Sequence, residues 1–127
     1  MLITVEEYFN LNGVYDMSIN ELLDFKDKIC DRIKHYEKNK YTEEILELEM
    51  FMHPGPSLKY HWNCDCLLEL CRIIMLHQDC KHELKEKCKR YSIDARQKIR
   101  QGLYPKDDEH LKAYAMNERL KREKMYK

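Results

Sequence analysis

Apolar positions recur at helical spacing along most of this chain. Residues 19–39 give the clearest case, because four apolar side chains fall on one stripe: Leu22, Ile29, Ile33 and Tyr36. Acids and lysines occupy the positions between them, as expected for a helix with one face in water. Residues 42–52 are predicted as another helix, although Leu46 to Met50 alternates as a strand would.

Capping motifs mark two helix starts. Thr4-Val5-Glu6-Glu7 and Ser18-Ile19-Asn20-Glu21 both have the form S/T-x-x-E. In this motif the hydroxyl accepts the backbone amide of the glutamate, and the glutamate side chain accepts the backbone amide of the Ser or Thr. Asn12-Gly13 ends the first of these helices, which is therefore short. His53-Pro54-Gly55-Pro56 is the one strong internal breaker, since proline fixes φ and lacks an amide donor.

Residues from Leu58 to about Tyr91 form the longest run compatible with one helix. The run is apolar almost all round as far as Leu76, which predicts a central helix, with a break near Gln78-Asp79 as the alternative. A short segment from Ser92 to Gly102 follows. A last helix is predicted from Glu109 toward Tyr126, and its irregular apolar face suggests that it protrudes.

These elements predict an all-α fold, a small bundle of about five helices in one domain covering residues 1–127. Its composition, 43% hydrophobic and 36% charged with three Gly and three Pro, is unlike that of disordered or many-stranded chains. Residues 1–53 form an acidic helical half with 12 acids and 6 bases. Residues 54–104 hold the central helix and a basic region, and residues 105–127 hold the C-terminal helix.

The location of the protein follows from its termini and its apolar runs. The first seven residues have no basic segment and place two glutamates where a signal peptide is apolar, so export is not expected. The apolar stretch Cys64–Leu76 is too short to cross a bilayer, which takes about 20 helical residues. We therefore expect no membrane partner and a location in the cytoplasm of a host cell, or in a virion assembled there.

Cysteines and histidines supply enough ligands for a structural zinc ion. The candidates are His61, Cys64, Cys66, Cys71, His77, Cys80, His82 and Cys88. Spacing argues against the site, because no C-x-x-C pair occurs and His82 leaves the helical face that His77 and Cys80 would share. The prediction is that the protein has no cofactor, with structural zinc kept as the alternative.

Signals for catalysis are weak. Cys64 and Cys66, close to His61, are the only plausible nucleophiles, and they lie in an apolar run where burial would raise the pKa of a thiol. The chain contains no glycine-rich phosphate loop, G-x-S-x-G or H-E-x-x-H motif. The sequence therefore indicates a protein that is not an enzyme.

Bases are concentrated between Lys81 and Arg100, where eight of them stand against three acids. Contacts with phosphate groups or with acidic proteins need such a density of charge on one face. Bases in this segment and in the last helix are the predicted partner-binding residues: Lys81, Lys85, Lys89, Arg90, Arg96, Lys98, Arg100, Arg119 and Arg122.

Two functions fit this pattern. The first is a non-enzymatic assembly or adaptor subunit of a larger complex, in a homo- or hetero-oligomer, with a head-tail or connector protein of a phage virion as one example. Its acidic helices within residues 19–52 would meet the basic surface or the C-terminal helix of a neighbour. The alternative is a small regulator or inhibitor that binds nucleic acid, or a nucleic-acid enzyme, through residues 81–100.

Overall fold

A computed structural model describes residues 2–125 and contains six α-helices with one short 3-10 turn, Val14–Asp16. No strand occurs in this part of the chain, so the predicted all-α fold is confirmed. The helices are α1 Val5–Leu11, α2 Ile19–Asn39, α3 Glu43–Phe51, α4 Pro56–Leu76, α5 His82–Gln101 and α6 Glu109–Met125. The predicted end of the last helix near Tyr126 lies outside the described residues.

The predicted hydroxyl caps are present at both helix starts, and the glutamate's return bond forms at α2. The Glu21 amide donates to Ser18 Oγ at 3.2 Å, and the Ser18 amide donates to Glu21 Oε1 at 3.1 Å, which completes the capping box of α2. Thr4 Oγ1 accepts the Glu7 amide at 3.1 Å at the start of α1. These short-range bonds fix where the helices begin.

The predicted central helix is wrong in its length, because residues 58–91 form parts of two helices. His77 is extended at the end of α4, and its ring Nδ1 accepts the Asp79 amide at 3.0 Å. The Cys80 amide then donates to the His77 carbonyl, also at 3.0 Å, and closes a turn. The alternative of a break near Gln78-Asp79 is the one observed, and it lets α5 fold back along α4.

The short segment predicted from Ser92 to Gly102 is also wrong at its start. Ser92 lies in the interior of α5, where its side chain is 5% exposed, and the helix continues without interruption to Gln101. Gly102 ends it with a φ of 73°, a left-handed value that glycine adopts without strain. Its amide donates to the Lys98 carbonyl at 2.8 Å.

Helices α2, α4 and α5 surround the core, and α1 with the 3-10 turn closes one side of it. Phe9 and Val14 from this N-terminal part are fully buried against the central helices. Helix α4 contacts α1, α2, α3 and α5, which explains why its sequence is apolar almost all round. Four buried thiols pack in this core as small apolar groups, three from α4 and one from α5: Cys64, Cys66, Cys71 and Cys88.

Helices α3 and α6 form the periphery. Helix α3 packs on α4, and α6 contacts α3. Residues 103–108 are tied to the turn between α2 and α3, where Lys40 Nζ donates to the Leu103 carbonyl at 3.3 Å. The Tyr41 hydroxyl donates to Asp108 Oδ2 at 2.8 Å, and Asp108 Oδ1 accepts the Leu111 amide at 3.1 Å. These bonds set the direction in which α6 leaves the core.

Within residues 2–125, no helix combines the length and the apolar character that crossing a membrane would require.

Candidate functional site

Four of the predicted partner-binding residues lie on one flank of α5. Successive residues of an α-helix are about 100° apart, and the buried Cys88, Ser92 and Ala95 mark the face of α5 that meets the core. Four bases spaced i, i+4, i+11 and i+15 then fall within an arc of about 60° beside that face. We call this set the basic stripe: Lys85, Lys89, Arg96 and Arg100.

The basic stripe is exposed and almost free of internal partners. Among the residues that the structure describes, its one ion pair joins Lys89 Nζ to Glu86 Oε1 at 3.1 Å, and the two side chains are 61% and 46% exposed. An ion pair of this kind contributes little to stability and exchanges readily. Ile93 lies beside the stripe with 63% of its surface exposed. The flank therefore offers positive charge with an apolar contact next to it.

Lys98 lies on the opposite flank, which faces α2, and differs from the stripe in its surroundings. Its Nζ is 3.1 Å from Glu37 Oε1 and 3.3 Å from Asp94 Oδ2, and its side chain is 24% exposed. Partial burial lowers the pKa of Lys98, but the two carboxylates outweigh this effect and the pKa lies above its ordinary value. Lys98 thus holds α5 against α2 within the chain.

The remaining four candidates do not join the basic stripe. Lys81 precedes the first residue of α5, and Arg90 points outward, away from the core face of the helix. On α6, Arg119 Nε is 3.7 Å from Glu123 Oε1, and the Arg122 guanidinium lies 4.2 Å from the centre of the Phe51 ring. The role of all nine residues in binding a partner stays a prediction, although the structure brings four of them together.

The metal candidates are scattered. In the described part of the chain, no three side chains among His, Cys, Asp and Glu are grouped so that they could hold a metal ion. His61 Nδ1 instead lies 3.2 Å from Asp65 Oδ2 on the surface of α4. Structural zinc is tested by metal analysis of protein purified without chelators.

Burial protects the candidate nucleophiles. Cys64 and Cys66 are fully buried, and burial raises the pKa of each thiol to about 12. The predicted rise in pKa is confirmed. At neutral pH these thiols are protonated, and a protonated thiol is a poor nucleophile.

A polar cavity of about 240 Å³ opens beside Lys98, between α2, α4 and α5. Glu37, Asp94 and Lys98 line it together with Lys40 and the buried Tyr60. Its charged groups already have partners within the chain, since Lys98 pairs with both carboxylates and Lys40 donates to the Leu103 backbone carbonyl. We assign this cavity to the packing of the core.

No family model, curated protein or solved structure is significantly similar to this chain.

Proposed function

We propose that this chain is a non-enzymatic assembly or adaptor subunit, which docks the basic stripe of α5 on an acidic surface of another protein subunit. The observation that carries the proposal is the convergence of Lys85, Lys89, Arg96 and Arg100 on one exposed flank. Lysines and arginines that stabilise their own fold would be expected beside carboxylates, as Lys98 is. The stripe bases gain more from a partner than from their own chain.

The dimensions of the stripe suit a contact between helices. Fifteen residues separate Lys85 from Arg100, which corresponds to about 22 Å of α-helix at about 1.5 Å per residue. The exposed Ile93 adds an apolar contact, and protein interfaces combine apolar centres with charged rims. Such a surface can steer a partner and set its orientation.

Acidic surfaces of the required kind occur in the same chain. Asp24 and Asp31 point outward on α2, and Glu43, Glu44 and Glu47 are exposed on α3. Because the acidic and basic surfaces lie on different helices, the acids of one copy can pair with the bases of another. The larger complex could be homomeric or heteromeric. One example of such a complex is a phage virion, with the subunit in the host cytoplasm before assembly.

The test is the absolute molar mass in solution, measured by light scattering at low and at high salt. We expect an oligomer at low salt that dissociates at high salt, because exposed charges are screened beyond a Debye length of about 10 Å at 0.1 M salt. The triple variant Lys85→Glu, Lys89→Glu, Arg96→Glu should be monomeric at low salt.

A matched control reverses three bases outside the stripe, with Lys87→Glu, Arg90→Glu and Lys106→Glu. It changes the net charge equally, so it should retain most of the association. A wild-type protein that is strictly monomeric in both salts would contradict self-assembly.

Nucleic-acid binding is the second candidate, and the same exposed stripe, with its single surface ion pair, favours it. If all four stripe bases contact phosphates of duplex DNA, log affinity should fall with log salt with a slope of about −3.6. Fluorescence anisotropy with a labelled duplex and with a labelled single strand measures this slope. A monomeric protein that binds either probe, and loses binding in the stripe variant but not in the control, would support this candidate over assembly.

A further inference from the structure

Helix α6 has a second apolar face that its own chain leaves uncovered. Leu111, Tyr114 and Ala115 are half-buried on the side of α6 that meets the core. On the other side, Ala113, Met116 and Leu120 follow one another at i, i+3 and i+7, the spacing of a contact stripe between helices. Met116 is 65% exposed and Leu120 is 50% exposed. We call these three residues the outer face of α6.

Bases border the outer face. The side chains of Lys112 and Arg119 are 65% and 83% exposed. Their ion pairs, with Asp107 at 3.8 Å and with Glu123 at 3.7 Å, are long and exposed, so both bases can exchange partners at little cost. Because residues 103–108 anchor the start of α6, the outer face has a fixed orientation relative to the core. It is exposed and can contact a partner. That partner should carry apolar side chains among acids.

The exposed side of α3 has this chemistry. Residues 43–51 contain four glutamates and no base. Leu48 and Phe51 are 36% and 47% exposed, and Met52 directly after the helix is 57% exposed. Glu44 precedes Leu48 by one helical turn and is exposed, with no ion pair among the described residues. Arg122 of the same chain stacks on Phe51, so Leu48 and Met52 are the apolar side chains of this surface that remain for another molecule.

We infer that the outer face of α6 docks on the exposed side of α3 in a second copy of this chain. Met116 and Leu120 would cover Leu48 and Met52, while Lys112 and Arg119 approach Glu44 and its neighbours. The contact joins two different surfaces, so it either closes into a symmetric pair with two copies of the contact or continues from copy to copy. The inference rests on the proposed function and adds a second contact to that of the basic stripe. Association requires both contacts, so the loss of either one should give a monomer.

Light scattering of paired variants tests the inference. Met116→Glu with Leu120→Glu places two acids on the outer face, opposite the acids of α3, and should give a monomer where the wild type is an oligomer. Leu11→Glu with Leu76→Glu is the matched control, since these apolar side chains are 78% and 72% exposed elsewhere on the surface. The control should keep the wild-type mass. Circular dichroism verifies that each variant keeps its helices.

A complementation experiment identifies the partner surface. Glu44→Lys with Leu48→Lys alters α3 alone and should also give a monomer. Each altered protein retains the surface that the other lacks, so mixing the α6 variant with the α3 variant should restore one contact. The expected product is a heterodimer of about 31 kDa, twice the 15.6 kDa of one chain. If the α3 double variant loses helicity, Glu44→Lys alone should still lower the association of wild-type α6.

The outcomes separate the inference from the proposed function. Wild-type mass in both the α6 and the α3 variants would overturn the inference and leave assembly through the basic stripe standing. Two monomeric variants that form no heterodimer on mixing would also overturn it, because the two surfaces would then not be partners. A wild-type protein that is monomeric at low salt would overturn the inference and the homomeric form of the proposed function, and would leave a subunit of a heteromeric complex.

Discussion

The two flanks of α5 carry bases of the same kind in opposite surroundings. On the flank that faces α2, Lys98 lies between two carboxylates and is 24% exposed. On the other flank, Lys85, Arg96 and Arg100 have no ion pair among the described residues, and Lys89 has one on the surface. The difference arises from the neighbouring helix. Helix α2 supplies Glu37 to the first flank, whereas among the described residues the second flank has an ion pair only with Glu86 of α5 itself.

This comparison shows that bases close together in sequence can have unrelated roles. Lys98 belongs to the part of α5 that holds the fold together, whereas the stripe is available to another molecule. If the assignment is right, changes on the inward side of α5 should alter stability, and changes in the stripe should alter association. Three measurements can break or sharpen this division.

The largest effect should be a loss of stability at alkaline pH. It concerns the buried thiols in the core that α5 covers. Burial raises the pKa of Cys64, Cys66 and Cys71 to about 12, against an ordinary value of 9.0. An unfolded chain releases these protons above pH 9 and the folded chain does not, so the stabilisation is complete below pH 9 and is lost as pH rises toward 12. In that window the free energy of unfolding should fall by about 1 kcal/mol per pH unit for each thiol.

Urea unfolding at pH 8 and at pH 10 measures this loss. The pKa of Lys98 is also raised, so its contribution is lost only above the ordinary lysine value of 10.5 and leaves the lower window to the thiols. Lys89→Met should leave the pH profile unchanged, because Lys89 lies in the exposed stripe. A free energy of unfolding that is equal at pH 8 and pH 10 would contradict the buried, protonated state of the thiols.

The next effect concerns the two flanks directly. Lys98→Met leaves Glu37 and Asp94 without their common counter-ion, and it should lower the free energy of unfolding by about 1–2 kcal/mol at pH 7. Lys89→Met, the same substitution on the other flank, should change it by less than about 0.5 kcal/mol. Urea denaturation of both variants gives the comparison. Equal losses would show that both flanks stabilise the fold. The stripe would then not differ from the inward flank in its contribution to stability.

Local signals explain which parts of the fold the sequence predicts. Ser18 and Glu21 form the predicted capping box, and the apolar stripe of α2 places Leu22, Ile29 and Ile33 in the core. The break after Leu76 has no such signal, because residues 77–81 contain neither proline nor glycine. The turn there depends on the ring of His77 and on the packing of α5 against α4, which are tertiary features.

The basic stripe could not be predicted from the sequence for the same reason. A helix start at Ser92 interrupts the phase of the helix between Lys89 and Arg96, and the stripe is visible only when α5 runs from His82 to Gln101. The opposite role of Lys98 depends on Glu37, which is 61 residues away in sequence. The density of bases was therefore predictable from the sequence, whereas their division between two flanks required the arrangement of the helices.

The smallest effect should come from the one acid that partners the stripe. Glu86→Gln frees Lys89 from its surface ion pair, so the melting temperature should not change measurably while the stripe gains net positive charge. The salt concentration at which the oligomer half dissociates, followed by light scattering, should rise.

Glu83→Gln removes the same charge from α5 on a side away from the stripe, and it should shift the salt midpoint less than Glu86→Gln does. If both substitutions shift the midpoint equally, association responds to total charge and not to the stripe. A lower melting temperature for Glu86→Gln would instead mean that the Lys89–Glu86 pair stabilises α5. The outward flank would then resemble the inward one, where Lys98 binds two carboxylates of its own chain.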